Sequence, residues 1–299
     1  MLGAIVGDTV GSIYEFNNTK DYNFEMFTNR SGYTDDTIMT MAVAYWLLKD
    51  PDHKYETLED AMVMFAKNCP CPNGGYGKMF YAWVFLPWSL KQTCPESYGD
   101  DFQPKYNSPE NRVPYNSWGN GSAMRVSAVG WFFDTLEETE RVARISAEIT
   151  HNHPEGIKGA QATAAAIWMA RNGKSKKEIK EYIEAKYGYD LDRTWEYLNQ
   201  SYGWKSSCQE TVPEAIIAFL ESDCFEDAIR KAVSMGGDSD TLACITGGIA
   251  EAYYGDIPAY MIEETQRVFP PIFNKILDVF RKHTFYSNNC AVTCLLVST

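Results

Sequence analysis

Apolar residues return at three- and four-residue intervals through almost the whole chain, and this period restricts what it can fold into. Ile38, Met41, Ala42, Tyr45 and Trp46 mark one helical face; Leu58, Ala61, Met62 and Phe65 mark another. Val142, Ile145 and Ile149 follow, then Ile157, Ala160, Ala164, Ile167 and Trp168, then Ile179, Tyr182 and Ile183. Phe225, Ala228, Ile229, Ala232 and Val233 repeat the pattern. Thr135-x-x-Glu138, Ser175-x-x-Glu178 and Thr211-x-x-Glu214 each carry the hydroxyl and carboxylate of a capping box and predict helix starts. No convincing series of alternating strands accompanies them. The expected fold is all-α, a compact single-domain bundle over residues 1–282 with 283–299 as a peripheral tail.

Residues 69–122 break the period. Seven prolines among many Gly, Asn, Ser and Tyr residues make this segment mostly irregular, with room for a short helix around Met79–Trp88. Irregular stretches of that length inside a compact domain are often functional. Elsewhere, Gly3–Ser12 and Gly247–Gly255 echo each other loosely as small-residue helical stretches.

Charge narrows the function. A net charge of −13 argues against a general nucleic-acid or anionic-membrane binder, because neutralising phosphates takes Lys and Arg. An anionic ligand would need a site made locally positive by cations, a few basic side chains or helix N-termini. The eight Cys do not form a disulfide framework or a zinc pattern: Cys208, Cys224 and Cys244 stand singly, and Cys69-Pro70-Cys71 is too close for a zinc pair. A reducing, cytoplasmic compartment is expected. Asp8 interrupts the apolar N-terminus before a signal-peptide core can form, and no run approaches the roughly 18 apolar residues of a membrane span. A monomer is the default expectation.

The chemistry sits at helix starts. Gly236-Gly237-Asp238-Ser239-Asp240-Thr241 precedes the helical run that ends near Gly255, and Thr34-Asp35-Asp36-Thr37 precedes the run Ile38–Leu48. Asp, Ser and Thr before a helix are ordinarily N-caps. A cap needs one acidic group, however, and adjacent carboxylates repel. Asp35, Asp36, Asp238 and Asp240 with the hydroxyls of Thr34 and Thr241 could hold two divalent cations, four negative charges against four positive. That requires the two helices to pack side by side with both clusters at one end. Gly7-Asp8-Thr9-Val10-Gly11-Ser12 reads as a close-packing helix, with Glu15 one turn beyond Gly11 on the same face. Ser117-Trp118-Gly119-Asn120-Gly121-Ser122-Ala123-Met124-Arg125 is either a turn or a phosphate cradle at a helix start. In Thr150-His151-Asn152-His153-Pro154-Glu155-Gly156 the histidines lack the partners of a zinc site; a hydrogen bond to sugar or phosphate fits His151, and capping fits His153.

These pieces, read as GAIVGDTVGSIYEF, YTDDT, WGNGSAMR, THNHPEGIKGA and GGDSDTLACITGGIAEAYYG in order from residue 3 to 255, resemble the ADP-ribosylglycohydrolase family. The resemblance implies a helical bundle with a binuclear Mg²⁺ or Mn²⁺ centre between the two acidic motifs. It implies Thr34, Asp35, Asp36 and Asp240 on one ion and Asp238, Asp240 and Thr241 on the other, with Asp240 bridging. Gly119, Asn120, Gly121 and Ser122 match the loop that contacts the diphosphate and ribose, and His151 a ligand-contacting histidine. Glu15 matches a catalytic glutamate near the metals in members acting on serine-linked ADP-ribose. An extra aspartate thought to serve arginine-specific members has no clear counterpart, only Asp100 and Asp101 lying in that region. The expected reaction is removal of ADP-ribose from an ADP-ribosylated acceptor, a protein side chain above all, by water attack at the anomeric carbon of the distal ribose. Glu15 or Asp36 would accept the proton. The same motifs fit a hydrolase of ADP-ribosylated nucleic acid or a small metabolite, a non-catalytic ADP-ribose binder, or a toxin-neutralising immunity protein.

Overall fold

The computed structural model describes residues 1–69, 71, 75–85 and 112–286, and every element of three or more residues among them is helical. The expected all-α architecture is the observed one. At its centre lie α1 (Leu2–Gly11) and the late helix Ser239–Tyr254, crossing face to face, with every residue of α1 buried. Three small-residue positions make that crossing: a Cβ on Gly3 would stand 2.3 Å from the Gly247 carbonyl oxygen, one on Gly7 1.9 Å from that of Ala243, and one on Gly11 2.4 Å from the Asp240 Cα. The two stretches that echo each other in sequence are therefore packing partners.

Around this pair the elements follow in chain order. They are α2 (Asp35–Lys49), α3 (Tyr55–Asn68), α4 (Lys78–Phe85), the short α5 (Gly121–Met124) and α6 (Ser127–Phe132). Next come α7 (Leu136–Glu148), α8 (Pro154–Arg171), α9 (Lys176–Tyr187), α10 (Trp195–Ser201), α11 (Cys208–Leu220) and α12 (Phe225–Ser234). The chain closes with α13 (Ser239–Tyr254), α14 (Ala259–Gln266) and α15 (Pro271–Tyr286). Alanine-rich α8 packs on α13, α7 and α6; α11 and α12 flank α13; α3 and α15 cover α2. The faces marked by Ile38–Trp46 and Phe225–Val233 point into this core, with Tyr45 half-buried.

Local signals account for most boundaries. Thr135 accepts from the Glu138 amide at the start of α7, and Ser175 with Glu178 closes a full capping box on α9. Gly188 and Gly255 end α9 and α13 in the left-handed conformation, φ 68° and 69°. One start is earlier than expected. Thr211 lies inside α11, which begins at Cys208 because the Cys208 amide donates to the Trp118 carbonyl (2.9 Å) and ties that first turn to the 118–120 loop. The short helix expected at Met79–Trp88 is α4; its predicted end, Asp100, Asp101 and residues 287–299 lie outside the described residues, and the expected tail from His283 begins inside α15. No described helix is long and apolar enough to cross a membrane.

Candidate metal centre and ligand cavity

The α1–α13 crossing leads directly to the acidic residues. Asp8, on α1, lies one residue past Gly7; Asp240 sits in the first turn of α13, against Gly11. The helix that brings the clusters together is thus α1, whereas the sequence pointed to α2 lying along α13. Asp8 is the link. Its carboxylate accepts from the Thr34 amide (2.9 Å), the Thr34 hydroxyl (2.7 Å), the Thr37 amide (3.1 Å) and the Thr37 hydroxyl, so it caps α2 from a different helix.

Two triads of carboxylates result. Oxygens of Asp8, Asp36 and Asp240 lie within 4.8 Å of one another, as do those of Glu15, Asp238 and Asp240. Asp240 belongs to both. Asp35 joins neither but lines the same cavity, a cleft of about 740 Å³ that also meets Glu15, Asp36, Asp238, Asp240 and Thr241. Thr34 is fully buried and absent from the lining; its hydroxyl is engaged by Asp8 and by the Asp36 amide, 3.2 Å, as the N-cap of α2. Thr241 lines the cavity with Asp36 and Asp238, and its backbone amide donates to Asp240 Oδ1 at 2.9 Å. Asp238 stands at the N-cap position of α13 without capping it: its Oδ2 accepts from the Asn120 side chain at 2.8 Å instead. For this aspartate the ordinary capping explanation fails.

Glu15 reaches the cluster by a route other than the one expected. α1 ends at Gly11, and the Tyr14 amide returns to the Gly11 carbonyl (2.8 Å), so Glu15 stands in a turn beyond the helix, not on its face. Asn18 secures that turn. Its amide nitrogen donates to the carbonyls of Tyr14 (2.6 Å), Glu15 (2.9 Å) and Gly237 (2.8 Å), and its oxygen accepts from the Gly237 amide at 2.8 Å. Gly236 and Gly237 hold φ of 71° and 72°, which glycine adopts without strain.

So many carboxylates in one buried place raise one another's pKa. Burial is the largest cause throughout. Asp8 is pushed up to about 6, its four hydrogen bonds opposing the shift. Asp35 rises to about 7 with the charges of Asp8 and Asp238 adding to burial, and Glu15 to about 8 with those of Asp238 and Asp35. Asp36 and Asp240 go well above the carboxylate range. Asp36 Oδ1 and Glu15 Oε2 are buried and have no hydrogen-bond partner. Orphaned oxygens in a set with neither thiol nor imidazole are what a hard divalent cation would satisfy. The residues fit the implied ions.

Gly119, Asn120, Gly121, Met124, Arg125 and His151 also line the cavity. The Asn120 amide donates to the Ser206 carbonyl (2.8 Å), seating this loop on the segment before α11. Ser122 does not reach the lining; its hydroxyl donates to the Gly156 carbonyl at 2.7 Å. His153 Nδ1 accepts from the Glu155 amide (3.1 Å), capping α8 as the sequence allowed. Sequence reading overlooked Asp8. The available signal was a lone charge in a helix otherwise made of small and apolar residues, a side chain that has to be satisfied wherever it is buried.

Fold and site together define a helical bundle with a carboxylate-walled cleft, and the sequence matches the ADP-ribosylglycohydrolase family model, a hydrolase family, over residues 1–285. The chain belongs to that family. Among particular relatives, it is 27% identical over 319 residues to human ADP-ribosylhydrolase ARH3, covering 85% of this chain and 84% of the relative. It is 26% identical over 268 residues to ADP-ribosylarginine hydrolase Tri1 of Pseudomonas putida, covering 85% and 69%. A solved structure described as an ADP-ribosylglycohydrolase-related protein complex superposes with a TM-score of 0.64 at 22% identity, covering 94% of this chain and 95% of the other.

Proposed function

We propose that this protein is a divalent-cation-dependent hydrolase that releases ADP-ribose from an ADP-ribosylated protein side chain. The observation that carries this reading is the pair of orphaned, buried carboxylate oxygens, Asp36 Oδ1 and Glu15 Oε2, among the five carboxylates that line the cavity (Glu15, Asp35, Asp36, Asp238 and Asp240), with Asp8 against Asp36 and Asp240. Asp35, Asp36 and Asp240, with Thr34 beside them, would hold one Mg²⁺ or Mn²⁺; Asp238, Asp240 and Thr241 would hold the other. When bound, the ions supply positive charge that grips the distal ribose hydroxyls and lets an acidic protein accept a dianion.

The chain's own residues do the remainder. Water adds to the anomeric carbon as the bond to the acceptor breaks; Glu15 takes the proton that this water loses and passes it to the departing acceptor atom, which leaves with the bonding electron pair. A carboxylate held in a fixed turn, with its proton affinity raised far above an ordinary glutamate's, is suited to that transfer. Asp36, more deeply enclosed and crowded by Asp8 and Asp35, is the less suitable acceptor. Asn120 orients Asp238, while Gly119, Gly121 and His151 form the wall for the diphosphate and ribose.

The test uses two peptides, one ADP-ribosylated on arginine and one on serine, assayed for free ADP-ribose with Mg²⁺ and with EDTA. Metal-dependent release from either supports the reading, and Asp240→Asn should then lose both metal binding and turnover. Release that persists in EDTA, or full activity in Asp240→Asn, would sink it.

A further inference from the structure

Phe16 is the most exposed large apolar side chain among the described residues, at 77%, and Trp204 is 50% exposed. Their rings stack on each other, centroids 5.5 Å apart and planes 21° from parallel, and neither belongs to the core. Both line the cleft that holds the carboxylates. Exposed apolar residues are ordinary when scattered singly; a stacked pair at the edge of a cavity marks a surface that binds something. Joining two segments of the chain does not account for the pair. Asn18 already ties the Glu15 turn to Gly237, and Lys20 Nζ donates to the Tyr202 carbonyl at 2.8 Å. Asn199 donates to the Lys20 carbonyl at 3.1 Å. On the Trp204 side, the Tyr202 hydroxyl donates to the Glu210 carbonyl (2.9 Å), and the Ser206 carbonyl accepts from the Asn120 amide. The backbone flanking both rings is therefore fixed without them, and their outer faces are preorganised for a partner.

We propose that Phe16 and Trp204 form a docking platform for the acceptor polypeptide, packing an apolar side chain that neighbours the modified residue. This rests on the function proposed above. A cleft of about 740 Å³ suits a nucleotide-sized ligand and not a polypeptide, so the acceptor chain has to lie along the rim. In that reading the bond to be broken lies beside Glu15, and Phe16 is the next residue. Aromatic side chains give a large contact area at small entropic cost, which suits them to hold a passing chain. Nucleic-acid bases also stack on exposed rings, but the net charge of −13 opposes a polyanionic acceptor.

Isothermal titration of the Mg²⁺-loaded protein tests this with free ADP-ribose and three conjugates of it, each joined through a non-hydrolysable triazole. One carries a peptide with leucine on both sides of the linkage, one the same peptide with glycine there, and one a short single-stranded oligonucleotide. The leucine conjugate should bind about tenfold more tightly than free ADP-ribose or the glycine conjugate. Phe16→Ala and Trp204→Ala should each remove most of that advantage while the Kd of free ADP-ribose stays within about twofold. Equal wild-type affinity for the leucine and glycine conjugates would overturn the platform. So would variants that weaken free ADP-ribose as much as the conjugate, which would put the rings against the nucleotide, or tightest binding of the oligonucleotide. A protein that binds these ligands but releases no ADP-ribose from hydrolysable peptides would count against the proposed hydrolysis alone, and the affinity ratio would still decide the platform.

Discussion

Gly7→Ala separates two opposite expectations. Alanine is the better helix former, worth about 1 kcal/mol over glycine in a helix interior, so on propensity alone the substitution stabilises. The structure gives the other sign. The added Cβ would stand 1.9 Å from the Ala243 carbonyl oxygen, 2.4 Å from its carbon and 2.9 Å from the Cys244 amide. An ordinary non-bonded contact is about 3.5 Å, so the backbones must part locally by about 1.5 Å. No rotamer change relieves a clash between two main chains, and the Gly3–Gly247 contact in the same crossing resists the shift. Overpacking of this kind costs about 1–3 kcal/mol or more, and the high end applies here. After the propensity gain, a net loss of about 2 kcal/mol is expected, lowering Tm by about 3 °C in a chain of this size. Scanning calorimetry of Gly7→Ala beside Gly203→Ala, whose Cβ meets nothing within 4 Å, makes the comparison. The control should change by less than about 1 kcal/mol. Because Asp8 follows Gly7, a parted α1 should also weaken Mn²⁺ binding. A Tm for Gly7→Ala equal to or above wild type would refute the close-packed crossing and the placement of Asp8 that depends on it.

Three further outcomes are expected. Asn18→Ala frees the Glu15 turn from Gly237, so isothermal titration should show one Mn²⁺ bound about tenfold more weakly and the other little changed; two unaltered affinities would remove Asn18 from the site. Folded-state pKa values raised above the carboxylate range mean that the folded protein holds protons the unfolded chain releases, so this stability is present at low pH and lost as pH rises. In EDTA, Tm should therefore fall from pH 5 to pH 8 as Asp8, Asp35 and Glu15 lose protons near 6, 7 and 8, and the Tm gain from added Mg²⁺ should grow over the same window; a flat or rising Tm in EDTA would count against the crowding. Asp8→Asn keeps an acceptor oxygen but puts an amide beside Thr34 or Thr37 donors, and chemical denaturation should show about 1–3 kcal/mol lost even without metal, whereas a change confined to the metal-loaded protein would make Asp8 a ligand alone.

What was legible in the chain depended on how local the cause was. Helical faces, the cap at Thr135 and the capping box at Ser175 are set by residues three and four apart, so they could be read directly. The start of α11 could not, because the tie that moves it from Thr211 to Cys208 runs to Trp118, ninety positions earlier. The acidic motifs were legible as chemistry and not as geometry. Asp35, Asp36, Asp238 and Asp240 announce themselves by mutual repulsion, but what unites them is α1, whose glycines read only as generic close packing. Asp8 shows why. Its significance arises when the Gly7 contact brings α1 onto α13, so that one carboxylate can cap α2 through Thr34 and Thr37 and still lie beside Asp36 and Asp240. A helix cap supplied from another helix leaves no local pattern. It also explains how crowded carboxylates persist in a folded protein: the backbone donors of α2 and its dipole favour negative charge at that end, offsetting part of the repulsion before any cation arrives. The same N-terminus that suits Asp8 must tolerate Asp35 and Asp36, and the orphaned Asp36 oxygen marks where protein donors run out.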